Sequence, residues 1–263
     1  MAFLECSFHS DVLGKACSMN VILPQKVSTQ IGMNSGSGRR TFPVLYLLHG
    51  LSDNHSIWMR RTSIERYAAE YDAAVIMPDG ERSFYTDMAS GARFFTFVSE
   101  ELPRIVGGFF PVSNRREDTF VAGLSMGGYG ALKLALRFPE RYAGCGALSP
   151  VTDLERFLGL LAETPEGATE AAGFFGPERR VPADCDLFAL AEQAARLPET
   201  ERPKIIQCWG SGDFLLEDNR RFRDHLLGLG GFDYSWREAP GGHDWAFWDE
   251  HIRTVLAAFF PRG

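Results

Sequence analysis

Ser125 sits at the centre of Gly123-Leu124-Ser125-Met126-Gly127, a G-x-S-x-G pattern whose hydroxyl can act as an acyl-transfer nucleophile. A serine hydroxyl is a weak nucleophile at neutral pH. It needs a base within hydrogen-bond reach and an acid that orients the base. Two later segments offer these partners. Residues 205–213 form an apolar run that ends in Gly210-Ser211-Gly212-Asp213, and Asp213 is the expected acid. His243 follows in Pro240-Gly241-Gly242-His243-Asp244-Trp245, on a loop between a strand and a helix, and is the expected base. Glu217 and Asp218 are rivals for the acid, although both also suit the negative end-group preference of a helix start. Of the other histidines, His251 falls inside the last helix, His225 inside a helix close to Asp213, and His9 and His55 precede the serine. His243, Asp244, Asp249 and His251 match no metal-ligand spacing, and no metal is expected.

Five letters alone are a weak signal, and the flanking elements strengthen it. Residues 118–124 predict a short buried strand ending at the serine. Residues 126–138 predict a helix closed by Pro139. Strand, tight turn and helix is the context that exposes such a hydroxyl. His49-Gly50-Leu51 ends an earlier apolar strand, residues 43–49. The backbone N–H groups of Leu51 and Met126 are therefore the expected donors to a tetrahedral oxyanion. His49 is expected to hold this loop rather than to move protons.

The remaining pattern alternates strands and helices. Strands are expected at residues 3–9, 16–23, 73–77, 142–148, 204–209 and 232–238. Helices are expected at residues 62–71, with Thr62 and Glu65 as a capping box, at 96–110 with a disturbance at Pro103, at 217–229, and at 244–260 before Pro261. Residues 25–41, polar and containing Gly36-Ser37-Gly38, read as a mobile loop. The alternation predicts an α/β chain: a mostly parallel central sheet with helices on both faces. Residues 151–203 interrupt the rhythm after the sixth strand. Leu154, Phe157, Leu158 and Leu161 form one helical stripe, and Leu187, Leu190, Ala191, Ala194 and Leu197 another, with a loop expected at 173–180. This segment is either a helical crossover or a small cap over the carboxyl edge of the sheet. Trp58, Phe214 and Trp245 flank the expected oxyanion loop, acid and base, and are candidate pocket walls; Trp248 reads as core.

The 263 residues suit a single catalytic domain, 1–263, that can bury about three quarters of its unfolded surface. With 45% hydrophobic and 23% charged residues the composition is that of a globular protein. A formal charge of −7 and the absence of a basic run argue against nucleic acid as a partner. No apolar run approaches a membrane span, and the first residues carry no secretory pattern. Five cysteines without a C-x-x-C pair read as thiols in a reducing compartment, so a cytoplasmic location is expected. The expected partner is a small-molecule substrate, with homo-oligomerisation left open and no cofactor.

The segments Leu47 to Trp58 (Leu-Leu-His-Gly-Leu-Ser-Asp-Asn-His-Ser-Ile-Trp), Gly123 to Leu132, Gly212-Asp213-Phe214-Leu215 and Gly242-His243-Asp244-Trp245 resemble the esterase D-like branch of the α/β-hydrolases, particularly bacterial tributyrin esterases. The resemblance spans residues 47–245. It implies the α/β-hydrolase fold and a short-chain carboxylesterase with Ser125, Asp213 and His243 as triad. Relatives include S-formylglutathione hydrolases, feruloyl and acetyl-xylan esterases, and mycolyltransferases. The formylglutathione branch carries a longer, cysteine-containing oxyanion loop, from which Leu51-Ser52-Asp53-Asn54-His55 departs. The expected activity is hydrolysis of small short-acyl, acetyl to butyryl, or aryl esters through an acyl-enzyme. The alternatives are a thioesterase, a feruloyl or acetyl-xylan type esterase, an acyltransferase, and a catalytically silent binding protein.

Overall fold

Eight strands join one sheet in the computed structural model, which describes residues 1–29, 31 and 38–260. They are β1 (Ala2–Ser10), β2 (Lys15–Leu23), β3 (Val44–Leu48), β4 (Ala74–Pro78), β5 (Thr119–Leu124), β6 (Gly144–Leu148), β7 (Lys204–Gly210) and β8 (Tyr234–Ala239). Their spatial order is β1-β2-β4-β3-β5-β6-β7-β8. The pairs β1–β2 and β2–β4 are antiparallel, and all others are parallel. After β4 the chain crosses back over β3 to lay down β5, so the order reverses between β3 and β5. A crevice for ligand opens at the carboxyl ends of strands at such a reversal.

The helices are α1 (Ile57–Arg61), α2 (Ile64–Ala69), a single turn α3 (Phe94–Thr96), α4 (Leu102–Phe109), α5 (Met126–Arg137), α6 (Leu154–Leu161), α7 (Pro165–Phe175), α8 (Leu187–Ala194), α9 (Leu216–Leu229) and α10 (Trp245–Phe259). Alternation along β3 assigns them to faces. Val44, Tyr46 and Leu48 join the core shared with α3 to α9, while Leu45 and Leu47 join the core shared with α1, α2 and α10. β3 to β6 are apolar almost throughout because both faces are covered. Among the described residues no helix is long and apolar enough to cross a membrane.

The expected elements are present, with ends displaced by one or two residues. Of the loop expected at residues 25–41, residues 30 and 32–37 lie outside the described residues, as does Pro261. Three local expectations change. The helix expected from residue 62 begins at Ile64 without the Thr62–Glu65 box: Thr62 Oγ1 accepts the Ile64 N–H at 3.1 Å and donates to Trp58 O at 2.6 Å. Near Pro103 the irregularity lies upstream, as a π-helical stretch Phe97–Glu101. Pro103 has no N–H for the Ser99 carbonyl, and Arg141 Nη1 donates to it instead at 3.0 Å. Finally, Gly173, Phe174 and Phe175 are not loop but close α7, whose start is set by Pro165 in the first turn and by Thr164 Oγ1 accepting the Gly167 N–H at 3.1 Å. Within residues 151–203, α8 packs on α5 and α9 as a crossover helix, whereas α6 lends Phe157 to a cleft at the carboxyl edge of the sheet and α7 packs on α6.

Candidate active site

Register brings the chemistry together. Leu48 of β3 pairs with Gly123 of β5, Leu124 with Leu148 of β6, Leu148 with Cys208 of β7, and Gly210 with Ala239 of β8. Leu51, Ser125, Asp213 and His243 lie one to four residues beyond these strand ends and so share one edge.

The turn at Ser125 is strained. Its backbone adopts φ 51° and ψ −115°, a combination that costs roughly 1–3 kcal/mol in a non-glycine residue. Surroundings enforce it: Ser125 N–H donates to Leu148 O at 2.9 Å, and Ser125 O accepts from Tyr129 N–H at 3.0 Å. The two glycines are demanded by space. A Cβ on Gly123 would stand 2.4 Å from the Gly127 backbone, and one on Gly127 would stand 2.5 Å from Leu48 O. Met126 opens α5, so its N–H belongs to the first turn, which has no intrahelical acceptors.

Asp213 and His243 form a close pair. Nδ1 of His243 is 3.0 Å from both Oδ1 and Oδ2 of Asp213. The carboxylate is buried and also accepts the Leu215 N–H at 2.8 Å. Burial pushes this carboxyl up. The hydrogen bond and charge of His243 outweigh it, with help from Ser149 and the Leu215 amide, and hold it below the usual carboxylate range. An ionised Asp213 fixes the proton on Nδ1 and leaves Nε2 free to accept one. The rivals are engaged elsewhere: Asp218 pairs with Arg156 and Arg221, and Glu217 with Arg220 at 2.8 Å. Asp249 bonds the Ser63 N–H and Tyr67 hydroxyl, and Asp244 caps α10 through Phe247 N–H, which splits the four residues weighed as a metal set.

His49 is buried and holds the loop that carries Leu51. The Gly80 N–H donates to its Nε2 at 2.8 Å, so Nδ1 carries the proton and donates to Gly50 O at 2.7 Å. That carbonyl shares a peptide plane with the Leu51 N–H, and the bond therefore orients this donor.

Leu51, Ser125 and His243 line one cleft of about 490 Å³, with walls from Phe157, Phe214, Trp245 and Trp248. Asp53, Arg82 and Asp244 make its polar part. A further cleft of about 430 Å³, near the starts of α6 and α8, contains no nucleophile, and its Arg156 and Arg221 are paired with Asp218 and Asp153. Two aromatic expectations are exchanged. Trp58 is not a pocket wall: it is buried, its Nε1 donates to Leu48 O at 3.0 Å, and its ring supports Trp245 edge-on at 5.3 Å. Trp248, expected as core alone, faces the cleft and meets His243 edge-on at 5.0 Å. Phe157, Asp53 and Arg82 join the site without having been singled out for it.

The fold and this constellation define a serine hydrolase of the α/β-hydrolase class. The sequence model of the family described as "Putative esterase" matches residues 10–259, and the chain belongs to that family. It is 33% identical over 266 residues to an acetyl esterase of Caldicellulosiruptor saccharolyticus, covering 97% of each chain. Among solved structures it is similar to the fluorophosphonate-binding serine hydrolase FphF of Staphylococcus aureus, with 34% identity, 98% of each chain covered and a TM-score of 0.86. It is also similar to the S-formylglutathione hydrolase FrmB of the same organism, with 33% identity, 98% of each chain covered and a TM-score of 0.82.

Proposed function

We propose that this esterase hydrolyses small short-acyl (acetyl to butyryl) or aryl esters through an acyl-enzyme on Ser125. The observation that carries this reading is the Asp213–His243 pair, 3.0 Å apart, opening on the cleft that Ser125 also lines. His243 Nε2 takes the Ser125 hydroxyl proton as Oγ attacks the ester carbonyl. The N–H groups of Leu51 and Met126 stabilise the oxyanion, an effect of a few kcal/mol on the barrier. Collapse expels the alcohol, which takes the proton from His243, and water then releases the acid by the same steps.

Ring walls limit the acyl chain. Trp245 is backed by Trp58, and Trp248 by the α10 core, so neither can yield easily to a long substituent. Each acyl CH₂ that fits gains about 0.8 kcal/mol, and one that does not fit gains nothing. The 33% identity to an acetyl esterase supports the short-acyl side. A thioester reading draws on the similarity to FrmB, but Leu51-Ser52-Asp53-Asn54-His55 departs from the cysteine-containing oxyanion loop that the resemblance associates with the formylglutathione branch. Initial rates on acetyl, butyryl, octanoyl, feruloyl and S-formylglutathione esters test the proposal. The expected kcat/KM optimum lies between acetyl and butyryl, with a clear decline by octanoyl. A preference for octanoyl esters or for the thioester overturns it.

A further inference from the structure

Leu51 is held on both sides, and the two grips come from different parts of the molecule. Its N–H side is fixed through Gly50 O by His49, within the body of the domain. Its own carbonyl accepts from Arg82 Nη1 at 3.2 Å. The same guanidinium donates through Nε and Nη2 to the two carboxylate oxygens of Glu170, at 2.6 and 2.8 Å. Glu170 lies on α7, the helix of the 151–203 insertion farthest from the sheet strands in sequence. One planar fork therefore joins the expected oxyanion donor to the cap, using three nitrogens at once.

The segment that carries Arg82 is built as a mount between these parts. Toward α7, Ala89 and Ser90 donate their N–H groups to Phe174 O and Gly173 O, and Phe84 meets the Phe174 ring edge-on at 5.2 Å. Toward the site, Gly80 N–H reaches His49, the Tyr85 hydroxyl donates to His49 O at 3.0 Å, and Phe84 N–H donates to Met126 Sδ at 3.3 Å. Phe84 and Tyr85 both hold positive φ, 48° and 47°, a cost met by these contacts on either side.

The geometry points to Arg82 as a positioning residue for the oxyanion hole: through Glu170 it makes the seating of α7 a condition for correct placement of the Leu51 N–H. This rests on Ser125 as nucleophile and Leu51 as oxyanion donor. A displaced oxyanion donor weakens the transition state more than the bound ester, because its full bond forms only to the tetrahedral oxygen. Loss of the bridge should therefore lower kcat and leave KM nearly unchanged.

The test uses the full chain with Arg82→Gln, Arg82→Lys, Glu170→Gln and the Arg82→Gln/Glu170→Gln double variant. Each is assayed for kcat and KM on 4-nitrophenyl acetate, for inhibition by a phenylboronic acid that forms a tetrahedral adduct on serine, and for Tm. Arg82→Gln is expected to lose about tenfold in kcat, short of the roughly 10²–10³-fold of deleting a donor outright. Boronate affinity should fall in proportion. Glu170→Gln should lose less, and the double variant no more than Arg82→Gln, since Glu170 acts through Arg82. Lysine, a single point donor, should recover only part of the rate. Glu170→Gln keeps shape and volume, so it decides the matter should an Arg82 variant fold poorly. Unchanged kcat and boronate affinity, or losses confined to KM, overturn the inference. If the unmodified enzyme neither hydrolyses the ester nor binds the boronate, the failure lies with the Ser125 reading instead.

Discussion

The imidazole of His243 is packed between Phe214, with ring centroids 4.5 Å apart, and Trp248, 5.0 Å away and edge-on. The two walls differ in what they support. Phe214 is 63% exposed, whereas Trp248 is buried in the α10 core. Phe214→Ala should leave Tm nearly unchanged while altering kcat/KM and the relative rates on aryl and alkyl esters. Trp248→Ala should cost about 3–5 kcal/mol of stability as well as activity. Urea unfolding alongside steady-state kinetics checks both; equal stability losses would contradict the assignment.

Asp213 and Asp218 separate rate from stability. Asp213→Asn should lower kcat by roughly 10⁴-fold, because an amide neither stabilises the imidazolium nor holds its tautomer. Asp218 is buried against Arg156 and Arg221, far from the imidazole's needs. Asp218→Asn should cost about 1–2 kcal/mol of stability with kcat within a few-fold of the parent. Paired kinetic and denaturation curves check this, and the reverse ranking would move the acid to Asp218.

The elbow was legible because its chemistry and its sterics coincide. Gly123 and Gly127 are glycines for want of space, and that requirement is written in the sequence. The loops carrying Asp213 and His243 were legible in the same way, each as a glycine-rich turn after an apolar run. The aromatic walls were not, since nearness in sequence does not reveal which way a ring turns. Trp245 and Trp248 are three apart on a helix, a spacing that shares a face, and that signal could have placed Trp248 at the cleft. Thr164-Pro165 likewise marks a helix start, but the run from Gly173 to Arg180 reads as a loop and hid the end of α7. The Arg82–Glu170 pair joins positions 88 apart, and nothing local announces it.

Two buried groups give opposite pH signatures. Lys133 is buried in α5, where its Nζ donates to Tyr85 O at 3.2 Å and lies 4.3 Å from the Phe95 ring centroid. Burial pushes its amine down, so the unfolded chain binds this proton more readily. Its contribution is full above the unfolded lysine value, about 10.4, and is lost as pH falls from there. Tyr142 is buried and its phenol is pushed up by burial, so its contribution is full below the unfolded value of about 10 and is lost as pH rises past it. Relative to Lys133→Met the parent should therefore lose stability on going from pH 10 to pH 8. Relative to Tyr142→Phe it should lose stability above pH 10. Urea midpoints across this range measure both differences, and a flat difference in either series would contradict the corresponding burial effect.

The central claim is that Ser125 is the nucleophile, and site-mapped labelling by a fluorophosphonate probe tests it most directly. The parent chain should take up one label, recovered by peptide mass mapping on Ser125. The Ser125→Ala variant should fold with a similar Tm, take up no label, and lose ester hydrolysis by roughly 10³–10⁶-fold. A label recovered on another serine, or a Ser125→Ala variant that keeps its rate, would contradict the account.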